Sequence, residues 1–283
     1  MCREPHKLSV LDRMSGSIRW IGFDMDDCIV SGMPIFPFLV TIPHEVYQDG
    51  KMSEYPTIMM DFATRLFESE VVYSTTHILR PVMKIVLHKI WKAYTKKKIQ
   101  GAFLFSNNSS RECVNFVCFF LNVCIWKLYD STRPIVFRMD SWHGDPCRRG
   151  SLEKNFDSIQ NCLNQHGLPM CSSTKDLLFF DDLAHTLQKE IPHYVQVPRY
   201  QNCTDIEPVL QALKPLAKHF QPDAWKRITR NAMYINVREI VHKKQSEKEK
   251  KEDMFLYVGA INDFLSIEGG GHKKNRGNTR KRL

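Results

Sequence analysis

The sequence predicts an α/β fold: a largely parallel sheet covered by helices. Short apolar runs alternate with longer stretches whose apolar residues recur at helical spacing. The runs are predominantly apolar, as strands buried on both faces are, and several end abruptly in polar clusters.

Taken in order, "IRWIGFD" (18–24) reads as the first strand, and the stretch Ser31 to Leu79 as an insert after it. "PVMKIVLHKIWKAY" (81–94) has the spacing of an amphipathic helix. "GAFLFSNNSS" (101–110) reads as a strand with its terminal loop, followed by the apolar helix "RECVNFVCFFLNV" (111–123). "DLLFFDD" (176–182) is a further strand and "YVQVP" (194–198) a shorter one. "DIEPVLQALKPLAKHF" (205–220) repeats apolar residues at helical spacing and reads as one helix. The composition then shifts: "HKKQSEKEKKED" (242–253) is a mixed-charge run, "MFLYVGAINDFLSI" (254–267) is apolar, and "EGGGHKKNRGNTRKRL" (268–283) is glycine-rich and basic. Main domain 17–221, helical appendage 222–267 and flexible basic tail 268–283 are the expected divisions.

At 283 residues, 43% of them hydrophobic, the chain can bury a substantial core. The net charge of +9 invites a nucleic-acid reading, but six Lys/Arg lie in the last twelve residues; with those set aside, 34 basic residues face 31 acidic ones. The charge therefore belongs to the tail, which suits weak contact with phosphates, with acidic protein surface or with an import receptor, or serves only as a solubilising end. Nine cysteines without a CxxC pair or zinc-type spacing fit reduced, mostly buried thiols. The eleven histidines form no HxxH or HExxH pair. The N-terminus lacks the apolar core of a signal peptide, and no window holds the roughly 18 uninterrupted apolar residues of a membrane span. A soluble intracellular protein, nuclear or cytoplasmic, without membrane contact is the expectation.

Three aspartates, Asp24, Asp26 and Asp27, crowd the end of the first strand. Carboxylates that close repel one another and resist leaving water unless a cation or proton compensates. An Asp-rich turn is the plain alternative, because Asp hydrogen-bonds its own backbone. In parallel sheets, however, ligands collect beyond the carboxyl ends of the strands. Asp24 and Asp26, Ser106 and Asn107, and Asp181 and Asp182 all end strands and should share one rim. Carboxylates beside hydroxyl and amide groups are the hard oxygen donors of a Mg²⁺ site for phosphate chemistry.

The order of these features resembles the four motifs of the haloacid dehalogenase superfamily of phosphohydrolases: strand plus "DMD", strand plus Ser106, a later Lys154, and strand plus "DD". Finer features resemble the branch of the RNA polymerase II C-terminal-domain phosphatases and related small phosphatases. These are Arg-Pro opening a helix in "ILRPVMKIVLHKI", Phe-Arg ahead of the lysine in "VFRMDSWHGDPCRRGSLEK", and Val-Pro leading to a helix in "VQVPRYQNCTDIEPVLQALKPLAKHF". The resemblance spans about residues 17 to 220 and implies a three-layer, Rossmann-like core with a small insert after the first strand.

It implies that Asp24 is the nucleophile and that Asp26 is the general acid and base. Mg²⁺ would be held by Asp24, the Asp26 carbonyl and Asp181, with Asp182 a possible contributor. Ser106 and Asn107 would bind the substrate phosphate, and Lys154 would neutralise transition-state charge, with Arg148 and Arg149 close enough in sequence to compete. The sequence departs from the branch at Cys28 (usually Thr), Ser106 (usually Thr) and Asp182 (more often Asn), none of which removes a catalytic group. Cys28 reads as a small buried residue beneath the site, and His143 and His185 as rim positions. The implied function is a phosphoserine/phosphothreonine protein phosphatase, with RNA polymerase tail-like segments as substrate. The alternatives are a phosphatase of nucleic-acid ends or small molecules, and a catalytically silent adaptor that binds nucleic acid or transcription machinery through the tail.

Overall fold

The computed structural model describes residues 17–30, 35–69, 78–107, 110–131, 133–140, 154–200, 206–236 and 246–267. The basic tail 268–283, Arg148, Arg149 and His143 lie outside them.

Five parallel strands form one sheet: β1 (Trp20–Phe23), β2 (Gly101–Phe105), β3 (Val136–Asp140), β4 (Leu177–Asp181) and β5 (His193–Gln196), in the order β3-β2-β1-β4-β5. The first strand is central and the chain builds outward to one side, then the other, so the strand order reverses at β1. The crevice beyond the carboxyl end of β1 is therefore where such a sheet receives a ligand.

Side chains alternate across the pleat, and the alternation divides two cores. Ile21, Phe23, Ala102, Leu104, Leu178 and Phe180 face one, whereas Trp20, Phe103, Phe105, Leu177 and Phe179 face the other. Gly22 leaves room between aromatic neighbours: a Cβ there would stand 2.4 Å from Phe179 and 2.7 Å from Phe103.

The second core is closed by α5 (Phe156–Gln165) and the short α6 (Leu187–Glu190). The first receives α1 (Phe36–Gln48), α2 (Tyr55–Glu68), α3 (Met83–Thr95), α4 (Arg111–Tyr129), α7 (Ile206–Leu213) and α8 (Pro222–Asn236). Within α4, Glu112–Tyr129 is long and apolar enough to cross a membrane by length and composition, but 61% of it is buried inside the fold, as befits a core helix. The six described cysteines are all buried free thiols.

Several elements depart from the sequence reading. The run 205–220 is not one helix: α7 ends at Leu213 and a 3₁₀ helix covers Lys214–His219. Pro215 is the reason, since it has no N–H to donate and its ring clashes with the preceding turn. The insert carries two full helices, α1 and α2, and its ends meet where Val30 pairs antiparallel with Leu79. β3 was not foreseen as a strand. Finally, the segment expected as an appendage supplies Ala224, Ile228, Tyr257, Ile261 and Phe264 to the first core. It runs through α9 (Glu247–Asp253), a π-helical turn (Met254–Gly259) and α10 (Ala260–Ser266).

Candidate active site and metal centre

The three aspartates after β1 divide into different roles. Asp24 is buried, and its N–H continues the sheet by donating to the Phe180 carbonyl at 2.8 Å, which ties it to β4. Asp27 has φ 55°, a left-handed conformation that Asp tolerates better than most residues, and the chain turns there, with Ile29 and Val30 N–H both donating to Met25 O. Asp26, between them, is half-buried. The turn reading thus holds for Asp27 and the cluster reading for Asp24.

Asp181 ends β4 and Asp182 follows it; both are buried. One carboxylate oxygen from each of Asp24, Asp181 and Asp182 lies within 4.8 Å of the other two. Lys154 enters from beyond β3. It directly precedes Asn155, whose side chain caps α5 by accepting from Ser158 N–H at 2.8 Å, and its own carbonyl accepts from Leu187 N–H at 2.9 Å. With both flanks pinned, its side chain is buried to 1% exposure.

The Lys154 ammonium stands 2.7 Å from Asp181 Oδ2, to which it donates, and 2.7 Å from Asp24 Oδ1. The same ammonium thus meets a carboxylate oxygen from each of the two aspartates. Asp181 Oδ1 accepts from Leu183 N–H at 3.0 Å, and His185 Nε2 lies 3.7 Å from Oδ2. Arg199, half exposed, pairs with Asp182 at 3.1 Å.

These contacts set the protonation of the group. Burial opposes the Lys154 ammonium, but Asp24 and Asp181 outweigh it and raise its pKa, so it stays charged. Burial raises the Asp24 pKa, against Lys154 and with the Asp181 charge. Asp182 is pushed up to about 6 by burial and then by Asp24 and Asp181, against Arg199. Three crowded, buried carboxylates that share the Lys154 ammonium and the exposed Arg199 leave room in the charge balance for a further cation. The cluster can hold a metal ion.

Ser106 is buried one residue past β2, and the pairing of Phe23 with Leu104 sets Asp24 level with Phe105, beside Ser106 on the neighbouring strand end. Asn107 is half-buried. The Asp26 carboxylate is not one of the three clustered. Its charge instead joins burial, the larger cause, and Glu112 in pushing the thiol of Cys113, in the first turn of α4, up to about 12. Cys28 is buried beneath the turn, and burial with the nearby Asp24 charge pushes its thiol well up, which keeps it protonated and inert.

Comparison with protein-family models, curated proteins and solved structures finds no match. The site therefore rests on its own geometry. That geometry draws in two residues with weak sequence signals. His185 sits against Asp181 rather than merely at the rim, and Arg199 was not singled out. A cation two residues beyond the apolar "YVQV" run, on the strand beside β4, is the cue that could have found it.

Proposed function

We propose that this protein is a Mg²⁺-dependent phosphohydrolase that works through an aspartyl-phosphate, acting on phosphoserine or phosphothreonine in protein. The observation that carries this reading is the single Lys154 ammonium bridging Asp24 and Asp181, three residues remote in sequence and joined at the ends of adjacent strands. The sequence motifs supply the substrate class, with polymerase tail-like segments as the closest suggestion.

Bound at Asp24, Asp181 and the backbone beside Asp26, Mg²⁺ would screen the phosphoryl oxygens and the crowded carboxylates. Asp24 attacks phosphorus, and a carboxylate oxygen bonds to it as the bond to the leaving oxygen breaks. Asp26 gives its proton to that oxygen, releasing the alcohol. A water then attacks the phosphorus of the aspartyl-phosphate, Asp26 takes its proton, and inorganic phosphate leaves with Asp24 regenerated. Lys154 holds Asp24 in place and, as a fixed buried cation, stabilises the charge that builds on the transferring group. Ser106 and Asn107 offer hydrogen bonds to the phosphoryl oxygens.

Hydrolysis of p-nitrophenyl phosphate and of phosphoserine peptides, with Mg²⁺ and with EDTA, tests this against Asp24→Asn. Metal-dependent turnover lost in the variant supports it. Turnover retained by Asp24→Asn overturns the mechanism, and inertness of the wild type toward both substrates overturns the activity.

A further inference from the structure

We infer that Asp253, in the C-terminal segment, is a positioning residue for this site, acting through Arg80 on the turn that follows Asp24. The inference rests on the phosphohydrolase reading for its catalytic consequence, but its structural claim stands apart from it.

Arg80 is buried to 1% exposure, and all of its guanidinium nitrogens are engaged. Nε donates to Asp253 Oδ2 at 2.7 Å, and Nη2 to Asp253 Oδ1 and the Pro198 carbonyl, both at 2.8 Å. Nη1 donates to the Cys28 carbonyl at 2.9 Å and to Tyr257 Oη at 3.1 Å. Tyr257 Oη in turn donates to the same Cys28 carbonyl at 2.7 Å. Arg80 N–H reaches the Ile29 carbonyl at 2.9 Å, and Tyr200 N–H donates to the Asp27 carbonyl. Three consecutive carbonyls of the turn, those of Asp27, Cys28 and Ile29, are thus fixed from Arg80, Tyr257 and Tyr200. The same guanidinium holds Pro198, whose neighbour Arg199 pairs with Asp182. One buried cation therefore ties together two segments that flank the carboxylate cluster.

Asp253 is what allows that cation to be buried. It is 2% exposed and meets Arg80 through both carboxylate oxygens, the two-point geometry that makes Arg–carboxylate pairs directional. The π-helical turn begins immediately after it and places Tyr257, one turn on, beside the same guanidinium. π turns of this kind recur where a helix must aim particular side chains. Beyond the turn, Arg19 donates to the carbonyls of Phe264 and Ile267, capping α10, and Lys89 bonds Asn262 at 2.7 Å. The C-terminal segment is thus fastened behind the turn through Asp253 and Tyr257, and at the opposite end of β1 through Arg19. Residues 246–267 accordingly belong to the site's framework, although the catalytic motifs all lie before residue 183.

Plain structural cement would give the same ion pair, so the test separates fold stability from positioning. Arg80→Met with Asp253→Leu replaces the pair by apolar side chains, a change that often leaves stability intact. The double variant is compared with the wild type by melting temperature, by amide exchange at Ile29, Val30 and Tyr200, and by kcat and KM on p-nitrophenyl phosphate with Mg²⁺. Because Arg80→Met also leaves the Cys28 and Pro198 carbonyls without the Arg80 donor, the melt should fall modestly. Positioning predicts in addition exchange faster by about tenfold or more at those amides, and kcat lower by about 10- to 100-fold with little change in KM. Wild-type exchange at those amides together with wild-type kcat overturns the inference, whatever the melt. Should the double variant fail to fold, Asp253→Asn, which keeps the shape and loses the charge, is read by the same measurements, with Asp253→Glu as the conservative rescue. If the wild type is inert, the phosphohydrolase reading falls and the exchange data alone decide whether Asp253 fixes the turn.

Discussion

Asp24 and Asp181, 157 positions apart in sequence, share one ammonium: Lys154 Nζ lies 2.7 Å from an oxygen of each. In metal-free protein this cation is what permits two carboxylates to lie buried together. Lys154→Met is isosteric enough to keep packing and removes only the charge. We expect it to destabilise the protein in EDTA by about 3–5 kcal/mol, as loss of one partner of a buried pair does. Turnover should fall by about 10²- to 10³-fold. Melting curves and kcat check the two effects separately.

Asp182 makes the opposite case. It adds a third carboxylate within 4.8 Å of the other two, and its partner Arg199 is 54% exposed and readily solvated once alone. Asp182→Asn should therefore stabilise the metal-free protein, on the order of 1 kcal/mol, the scale of one pKa unit. If Mg²⁺ binds the cluster as proposed, it should raise the melting temperature of the wild type, and Asp182→Asn should shrink that rise. Thermal melts with and without Mg²⁺ read both outcomes.

Acid should weaken the contact between the insert and α8. Glu45 on α1, almost fully buried, accepts from Arg227 Nε at 2.9 Å and Nη2 at 2.6 Å. These bonds, against burial and with help from the Arg227 charge, hold its carboxyl below the usual glutamate value. A carboxylate whose pKa is lower folded than unfolded contributes stability above the unfolded value, and that contribution is lost as pH falls through the folded one. Glu45→Gln should thus be less stable than the wild type at pH 7, with the difference closing below about pH 4.5. Denaturant midpoints across pH 3 to 7 measure it.

The strands around the site were legible because burial on both faces leaves no choice of residue: β1 and β2 are apolar to their last position and β4 to its last but one, and the chain then turns abruptly polar. That abrupt change is also why Asp24, Ser106 and Asp181 could be read as one rim. β3 escaped because it is an edge strand, where only part of each face is covered and Arg138 can interrupt the run. Helix α1 was masked by its prolines: Pro37 occupies the first turn, where its missing N–H costs nothing, but Pro43 lies inside the helix and argues locally against it.

Asp253 was hidden for a different reason. It closes a run of alternating charges that reads as solvated, and its burial shows only when counted forward with Tyr257, Ile261 and Phe264 as one stripe. Sequence proximity favoured the charge run, and tertiary pairing with Arg80, 173 positions away, overrode it.

The most direct test of the central claim is to trap the covalent intermediate. Wild-type protein with Mg²⁺ is mixed with excess p-nitrophenyl phosphate, quenched during turnover, reduced with borohydride to convert any acyl-phosphate to the alcohol, digested, and sequenced by mass spectrometry. The account predicts reduction confined to Asp24, absent with EDTA and absent in Asp24→Asn. Turnover with Asp24 unmodified, or reduction at another carboxylate, would contradict it.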